Sequence, residues 1–257
     1  MRPFTYADRD FFFGREEQSY ALYRLIDRGR FLAVVGSSGS GKSSLVRAGL
    51  RGLLELESAD AAGRKWLYRE MRPGAAPLAG LADALAGLSQ DEDDEIAAAR
   101  RARIDYRLRQ SSFGMADALA EIQGLHDATL LLVVDQFEEL FRYALAGTRG
   151  SRHGDARTRD EAAQFVQILL EVARRQAGNV HVLITMRSDF IGDCARFHGL
   201  PEAVSTSQFL VPSLTRDQLE EVIREPVRKA GATIEPALAE RLLIDSANEP
   251  DQLPVLQ

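Results

Sequence analysis

Cysteine is almost missing from this chain: Cys194 stands alone among 257 residues, which excludes an internal disulfide and any multi-cysteine zinc site. Histidine is scarce too, and the four present are scattered too widely to suggest a metal-ligand cluster. Long apolar runs are lacking. The strongest, FLAVV (31–35) and LLLVV (130–134), fall far short of the ~20 residues of a membrane span. The opening MRPFTYADRD has no apolar h-region and does not read as a secretory signal, so a cytoplasmic address is expected. Lysine is nearly absent as well. Lys42, Lys65 and Lys229 are the only three among 32 cations, a bias that codon usage explains better than phosphate recognition does. The net charge of −6 argues against a general nucleic-acid-binding surface, because phosphate affinity comes from clustered cations.

What remains is the composition of a soluble globular protein, 45% hydrophobic and 27% charged. The length suits one large α/β domain with a small appended one. Periodicity predicts a helix over about 15–28, with Tyr20, Leu22, Tyr23, Leu25 and Ile26 on its apolar side, and then a buried strand, FLAVV. A helix over about 42–54 follows, then a strand KWLYREM (65–71), a turn PGAAP and a helix near 77–88. This βαβα rhythm belongs to a parallel sheet. The acids of DEDDE (91–95) followed by a basic stretch suit a helix whose dipole they complement. Further strands are predicted at TLLLVVD (129–135), NVHVLITM (179–186) and QFLVP (208–212). Helices are predicted at FEELFRYAL, at about 159–177, 215–230 and 235–248, and the Gly- and charge-rich 147–160 as a mobile loop.

Between the first strand and its helix lies GSSGSGKS: Gly36, Ser37, Ser38, Gly39, Ser40, Gly41, Lys42 and Ser43. It satisfies G-x-x-x-x-G-K-[ST] in the strand-loop-helix setting that the chemistry requires. The glycines let successive N–H groups point at phosphate oxygens, and the helix N-terminus adds partial positive charge. Lys42 is expected to reach the β and γ phosphates, the Ser43 hydroxyl to hold Mg²⁺, and Ser44 to complete the cradle.

Ligands of open α/β sheets bind outside the carboxyl ends of the strands, and LLLVVDQFEELF (130–141) delivers Asp135 there, fit for a Walker B metal-binding acid. Gln136 follows it where many additional-strand ATPases carry the glutamate that activates water; a neutral amide cannot take that proton. On a helical wheel Glu138 flanks the apolar face of Phe137, Leu140 and Phe141, while Glu139 points nearly opposite. Glu138 is therefore the better candidate base and Glu139 the solvated residue. Arg187 ends the strand NVHVLITMR and is a candidate catalytic residue that stabilises transferring charge or senses the γ-phosphate, or else an ion-pair partner of Asp189. His181 reads as structural.

FFFGREE (11–17), FLAVVGSSGSGKSSLVRAGL (31–50), LLLVVDQFEELF, VLITMRSDFIGD (182–193) and EPDQLPVLQ (249–257) together resemble the STAND class of P-loop NTPases, in particular the bacterial novel STAND NTPase domain. The resemblance implies a five-stranded parallel sheet of the additional-strand class, with residues 1–212 as nucleotide-binding core and 213–257 as the start of a helical lid. It implies ATP or ADP with Mg²⁺ as ligands. Phe13, Gly14 and Arg15 match the N-terminal nucleotide-contacting motif, and Glu138 the second acid of related NACHT domains. Arg187 matches the sensor arginine. Pro254 matches the lid proline, although Gln252 replaces the glycine of that G-x-P motif. The resemblance also implies effector and sensor domains outside these residues, ligand-induced homo-oligomerisation and a role in signalling or defence. On this reading the chain is an excised or truncated module. Three functions are expected in descending order: a slowly hydrolysing ATP switch, a nucleotide-stabilised scaffold, and a DNA-loading ATPase.

Overall fold

The computed structural model describes residues 3–61, 63–89, 93–122, 127–146, 152–175 and 179–247. Five strands, β1 (Phe31–Gly36), β2 (Trp66–Met71), β3 (Thr129–Val134), β4 (Val180–Arg187) and β5 (Gln208–Leu210), pair in parallel in the order β2-β3-β4-β1-β5. The P-loop strand β1 thus lies beside β4, with Gly36 in register with Arg187.

Helix α1 (Glu16–Arg28) precedes β1. After β1, α2 (Lys42–Ser44) runs through a π-helical turn, Leu45–Leu50, into α3 (Arg51–Ala59). Between β2 and β3 come α4 (Pro77–Ala86), α5 (Asp94–Gln110) and α6 (Gly114–Ala120); between β3 and β4 come α7 (Glu138–Ala146) and α8 (Arg152–Arg174). A 3-10 segment, Ser188–Arg196, and α9 (Leu200–Thr206) lead to β5, and α10 (Arg216–Lys229) and α11 (Pro236–Ala247) follow it. The local chemistry of the starts is plain. Pro77 opens α4, where its missing N–H costs nothing. Asp93 caps α5 by accepting from the Glu95 and Ile96 N–H groups, and acids then bases occupy its first and last turns. Thr215 and Gln218 form a reciprocal capping box on α10.

Strand side chains alternate between the two faces of the sheet, and each face has its own core. Ala33, Val35, Leu130, Leu132, Val134, Val182, Ile184 and Met186 pack with residues of α4–α9 such as Leu81, Phe141 and Phe165. Leu32, Val34, Leu131, Val133, Leu183 and Trp66 pack on the other face with Leu22 and Ile26 of α1 and with Leu45, Val46, Leu50 and Leu54. Each fully buried Leu or Ile in these layers is worth about 1.5–3 kcal/mol relative to exposure. A third, small apolar cluster, Leu214, Leu219, Ile223, Ala239 and Leu243, joins α10 to α11.

The departures from the sequence expectations are local. Tyr20 is 56% exposed, because on α1 it lies opposite the stripe of Leu22 and Ile26. The expected loop over 147–160 is helical from Arg152 onward, while 147–151 lie outside the described residues. Helices α6 and α9, each seven residues, were not anticipated.

Candidate functional site

The loop from Gly36 to Ser43 folds on glycine at two left-handed positions, Gly39 at φ 70° and Gly41 at φ 83°, the latter capping α2. At Gly36 a Cβ would lie 2.7 Å from the Ser40 hydroxyl and 3.3 Å from Val211 Cβ, so a side chain there would displace Ser40 and crowd Val211. Ser37 and Ser38 face solvent at its mouth. Lys42 folds back across the loop and donates to the Gly36 carbonyl (3.1 Å) and the Ser37 carbonyl (2.6 Å). Burial holds its ammonium below the usual lysine range, with Glu138 the strongest charge acting the other way. The amine thus occupies the concavity and borders Glu138 electrostatically.

The alternation rule places the rest. Trp66 and Tyr68 of β2 and Leu131 and Val133 of β3 face the P-loop helix, and so Glu70, Arg72 and Asp135, at two-residue steps beyond them, face it too. On β4 the same parity brings Leu183, Thr185 and Arg187. Asp135 is 1% exposed and fully engaged. Its Oδ1 accepts from Ser43 Oγ (2.6 Å) and Thr185 Oγ1 (2.8 Å). Its Oδ2 accepts from Arg47 Nη2 (2.9 Å) and Arg72 Nη2 (3.4 Å). Arg47, on the π turn, also pairs with Glu70 through Nε (2.8 Å) and Nη2, and Glu70 accepts from the Tyr68 hydroxyl as well. Two arginines therefore balance two carboxylates around the buried acid.

Gln136 has φ 54°, the only positive φ among described non-glycine residues, and its N–H donates to Thr185 Oγ1 (3.0 Å). That kink turns the chain so that Glu138, in the first turn of α7, points back at the sheet. Glu138 is 6% exposed and its Oε2 accepts from the Arg187 N–H (3.3 Å). Glu139, expected in solvent, is half-buried because its Oε2 accepts from the Gly74 N–H (3.2 Å). The Arg187 guanidinium grips Asp189 with two bonds, 3.0 and 2.7 Å, the ion-pair alternative of the sequence reading. His181 packs against Trp66 and bonds the Gly29 carbonyl through Nδ1 (3.0 Å), a structural role.

The N-terminal segment arrives from the far side. Gly14, at φ 73°, lies so close to α10 that a Cβ would be 2.7 Å from the Gln218 carbonyl oxygen. Arg15 is 3% exposed and spans the end of β5 and the P-loop, donating to the Pro212 carbonyl (2.8 Å) and the Ser40 carbonyl (3.4 Å). Burial lowers its pKa to about 10. Phe13 lies near Lys229 and lines a cavity of about 520 Å³ with Glu16, Glu17, Gln218, Glu221 and Glu225. Ser44 is buried beneath this segment, its hydroxyl accepting from the Phe4 N–H (3.1 Å). Pro254 lies outside the described residues. Sequence reasoning missed Arg47, Glu70, Arg72 and Thr185. Arg72 was findable, since it follows the last residue of β2 as Asp135 follows that of β3.

The family model described as "Novel STAND NTPase 1" matches residues 1–257. This chain belongs to the novel STAND NTPase 1 family. No curated protein matches it. Among solved structures, Orc1 of Aeropyrum pernix in complex with DNA is similar at TM-score 0.58 and 16% identity, covering 96% of this chain and 58% of that one. Orc2 of Aeropyrum pernix in its ADP form gives TM-score 0.56 at 12% identity over 95% and 62%. The Walker-type ATPase PABY2304 of Pyrococcus abyssi gives 0.53 at 16% over 99% and 67%. At these identities the likeness is one of fold, that of P-loop ATPases, and this chain spans less than two thirds of the two Orc proteins. Family and fold together make this novel STAND domain a nucleotide-binding NTPase module. No described helix is long and apolar enough to cross a membrane.

Proposed function

We propose that this domain binds ATP with Mg²⁺, hydrolyses it slowly, and acts as the switch of a larger signalling or defence protein. The observation that carries the proposal is the 2.6 Å contact between Ser43 Oγ and Asp135 Oδ1, which unites the ends of the two motifs, 92 residues apart, on one face of the sheet. These are hard oxygen donors beside a phosphate cradle and suit Mg²⁺. Bound there, the ion would neutralise phosphate charge. Lys42 would exchange its two loop carbonyls for phosphate oxygens. Glu138, buried beside Lys42 and positioned by the Arg187 N–H, is the group of this chain placed to take a proton from attacking water. Gln136 cannot do so, which favours slow turnover.

The N-terminal segment supports the switch reading, because Arg15 touches the P-loop while its neighbour Gly14 touches α10. Residues 1–212 would serve as the core, and α10 with α11 as the beginning of a lid built on its own apolar cluster. ATP is the proposed nucleotide, with Phe13, Gly14 and Arg15 contacting it and Pro254 near its adenine; effector domains, a sensor and a ligand-induced homo-oligomer complete the proposal. A DNA-loading role, suggested by the DNA complex of Orc1, sits poorly with a net charge of −6. The test pairs two variants. Lys42→Ala abolishes ATP binding, whereas Glu138→Gln keeps ATP bound and uncleaved. Phosphate release by Glu138→Gln at the wild-type rate refutes the base assignment, and tight ATP binding without release by the wild type favours the scaffold.

A further inference from the structure

Four strand ends converge on the phosphate site, and three have been given work: Gly36 of β1 opens the loop, Asp135 follows β3, and Arg187 closes β4. The fourth is that of β2. Arg72 follows Met71 directly, and the Asp135 N–H donates to the Met71 carbonyl (2.8 Å), which sets Arg72 beside Asp135 by main-chain pairing alone. Asp135 links the two sides of the site, with Oδ1 on Ser43 (2.6 Å) and Oδ2 on Arg72 (3.4 Å).

Three arginines around Asp135 and the end of β4 are committed to different degrees. Arg47 holds Glu70 in addition to Asp135 and is 18% exposed. Arg187 is bidentate with Asp189. Arg72 shares Asp135 with Arg47, makes the longer of the two contacts, and is 48% exposed. Its backbone is anchored all the same, by the buried Pro73 and by Gly74, at φ 55°, whose N–H bonds Glu139 next to Glu138. A fixed base with a loosely held guanidinium can change partners cheaply. When Asp135 turns to a cation, its hold on Arg72 weakens and the guanidinium is left beside the phosphate cradle.

We propose that Arg72 is a phosphate-reading residue, turning from Asp135 onto the terminal phosphate of a bound nucleoside triphosphate. This rests on the nucleotide reading of the P-loop. Arg72→Gln and Arg72→Lys, measured with fluorescent N-methylanthraniloyl ATP and ADP in Mg²⁺ buffer, separate the possibilities. Arg72→Gln is expected to weaken the ATP analogue by about 10-fold or more, the scale of one charge-assisted hydrogen bond, and the ADP analogue by less than about 2-fold, with Arg72→Lys intermediate. Equal weakening of both analogues would reduce Arg72 to a neighbour of Asp135 and overturn the proposal, as would no change in either. Failure of the wild type to bind either analogue would overturn the nucleotide reading itself, and Lys42→Ala supplies the non-binding reference.

Discussion

Replacing Asp135 tests whether the buried acid holds the site together before any ligand arrives. Asp135→Ala leaves the Thr185 hydroxyl, 1% exposed, without its acceptor, which costs about 1–3 kcal/mol for a buried unsatisfied group. It also removes a charge-assisted partner from Arg47. Breaking a buried ion pair costs about 3–5 kcal/mol, but Arg47 keeps Glu70 and is 18% exposed, so only a fraction of that applies. Ser43 and Arg72 border solvent and lose little. A net destabilisation of about 3 kcal/mol is expected, lowering Tm by roughly 6–12 °C for a domain of this size. Asp135→Asn keeps an oxygen for Ser43 and Thr185, so it should lose only about half as much. Thermal and urea melts in nucleotide-free buffer with EDTA read the structural effect alone. A double-mutant cycle with Arg47→Met isolates the pair, with an expected coupling of about 1 kcal/mol or more. Melts of Asp135→Ala within about 0.5 kcal/mol of the wild type would refute the reasoning, because the attraction of the two arginines would then do no more than offset the cost of burying Asp135.

Two further outcomes concern the joint between the N-terminal segment and α10. Gly14→Ala forces a left-handed alanine, worth about 1–2 kcal/mol of strain, and drives a methyl to 2.7 Å from the Gln218 carbonyl oxygen, so Tm should fall by several degrees; an unchanged melt would contradict that approach. Glu221 is held above the usual carboxylate range by partial desolvation and then by Glu16, Glu225, Asp217 and Glu17. A carboxyl whose pKa rises on folding contributes stability below its unfolded pKa and loses it as pH climbs through the raised folded value, so ionised Glu221 destabilises the neutral protein. Glu221→Gln should therefore raise Tm by about 1–3 °C at pH 7, on the 0–1 kcal/mol scale of exposed charge pairs, and the gain should vanish in acid; equal melts at both pH values would show that the crowding is screened.

Most of the fold is legible because its signals are long. Buried runs such as LLLVV (130–134) and the G-x-x-x-x-G-K-S spacing leave few alternatives, and apolar spacing along Leu22 and Ile26 fixes α1. What escapes is short or depends on propagation. Seven-residue helices such as α6 and α9 give less than two full turns of periodicity to read. Helix α8 extends into a charged stretch with no apolar face of its own, because Ala162, Phe165, Val166 and Leu169 nucleate a helix that then adds residues at small cost.

The site divides along the same line. Motif spacing singles out Lys42, Ser43 and Asp135, and the helical wheel singles out Glu138, as candidates from their neighbours in the chain. Both are blind to Glu70, Arg72 and Thr185, which reach Asp135 through strand parity, and to Arg47, which reaches it from a π turn that no sequence signal marks. Parity is recoverable: stepping by two from Trp66 gives Tyr68, Glu70 and Arg72 on the face of the P-loop helix, and stepping back by two from Arg187 gives Thr185. The charged residues found this way compensate one another around one buried carboxylate. A lone acid at 1% exposure would be costly, and Asp135 is not alone: it accepts four hydrogen bonds, two of them from arginines. The residues that pair this buried acid are therefore as much a part of the candidate site as the motif that announces it.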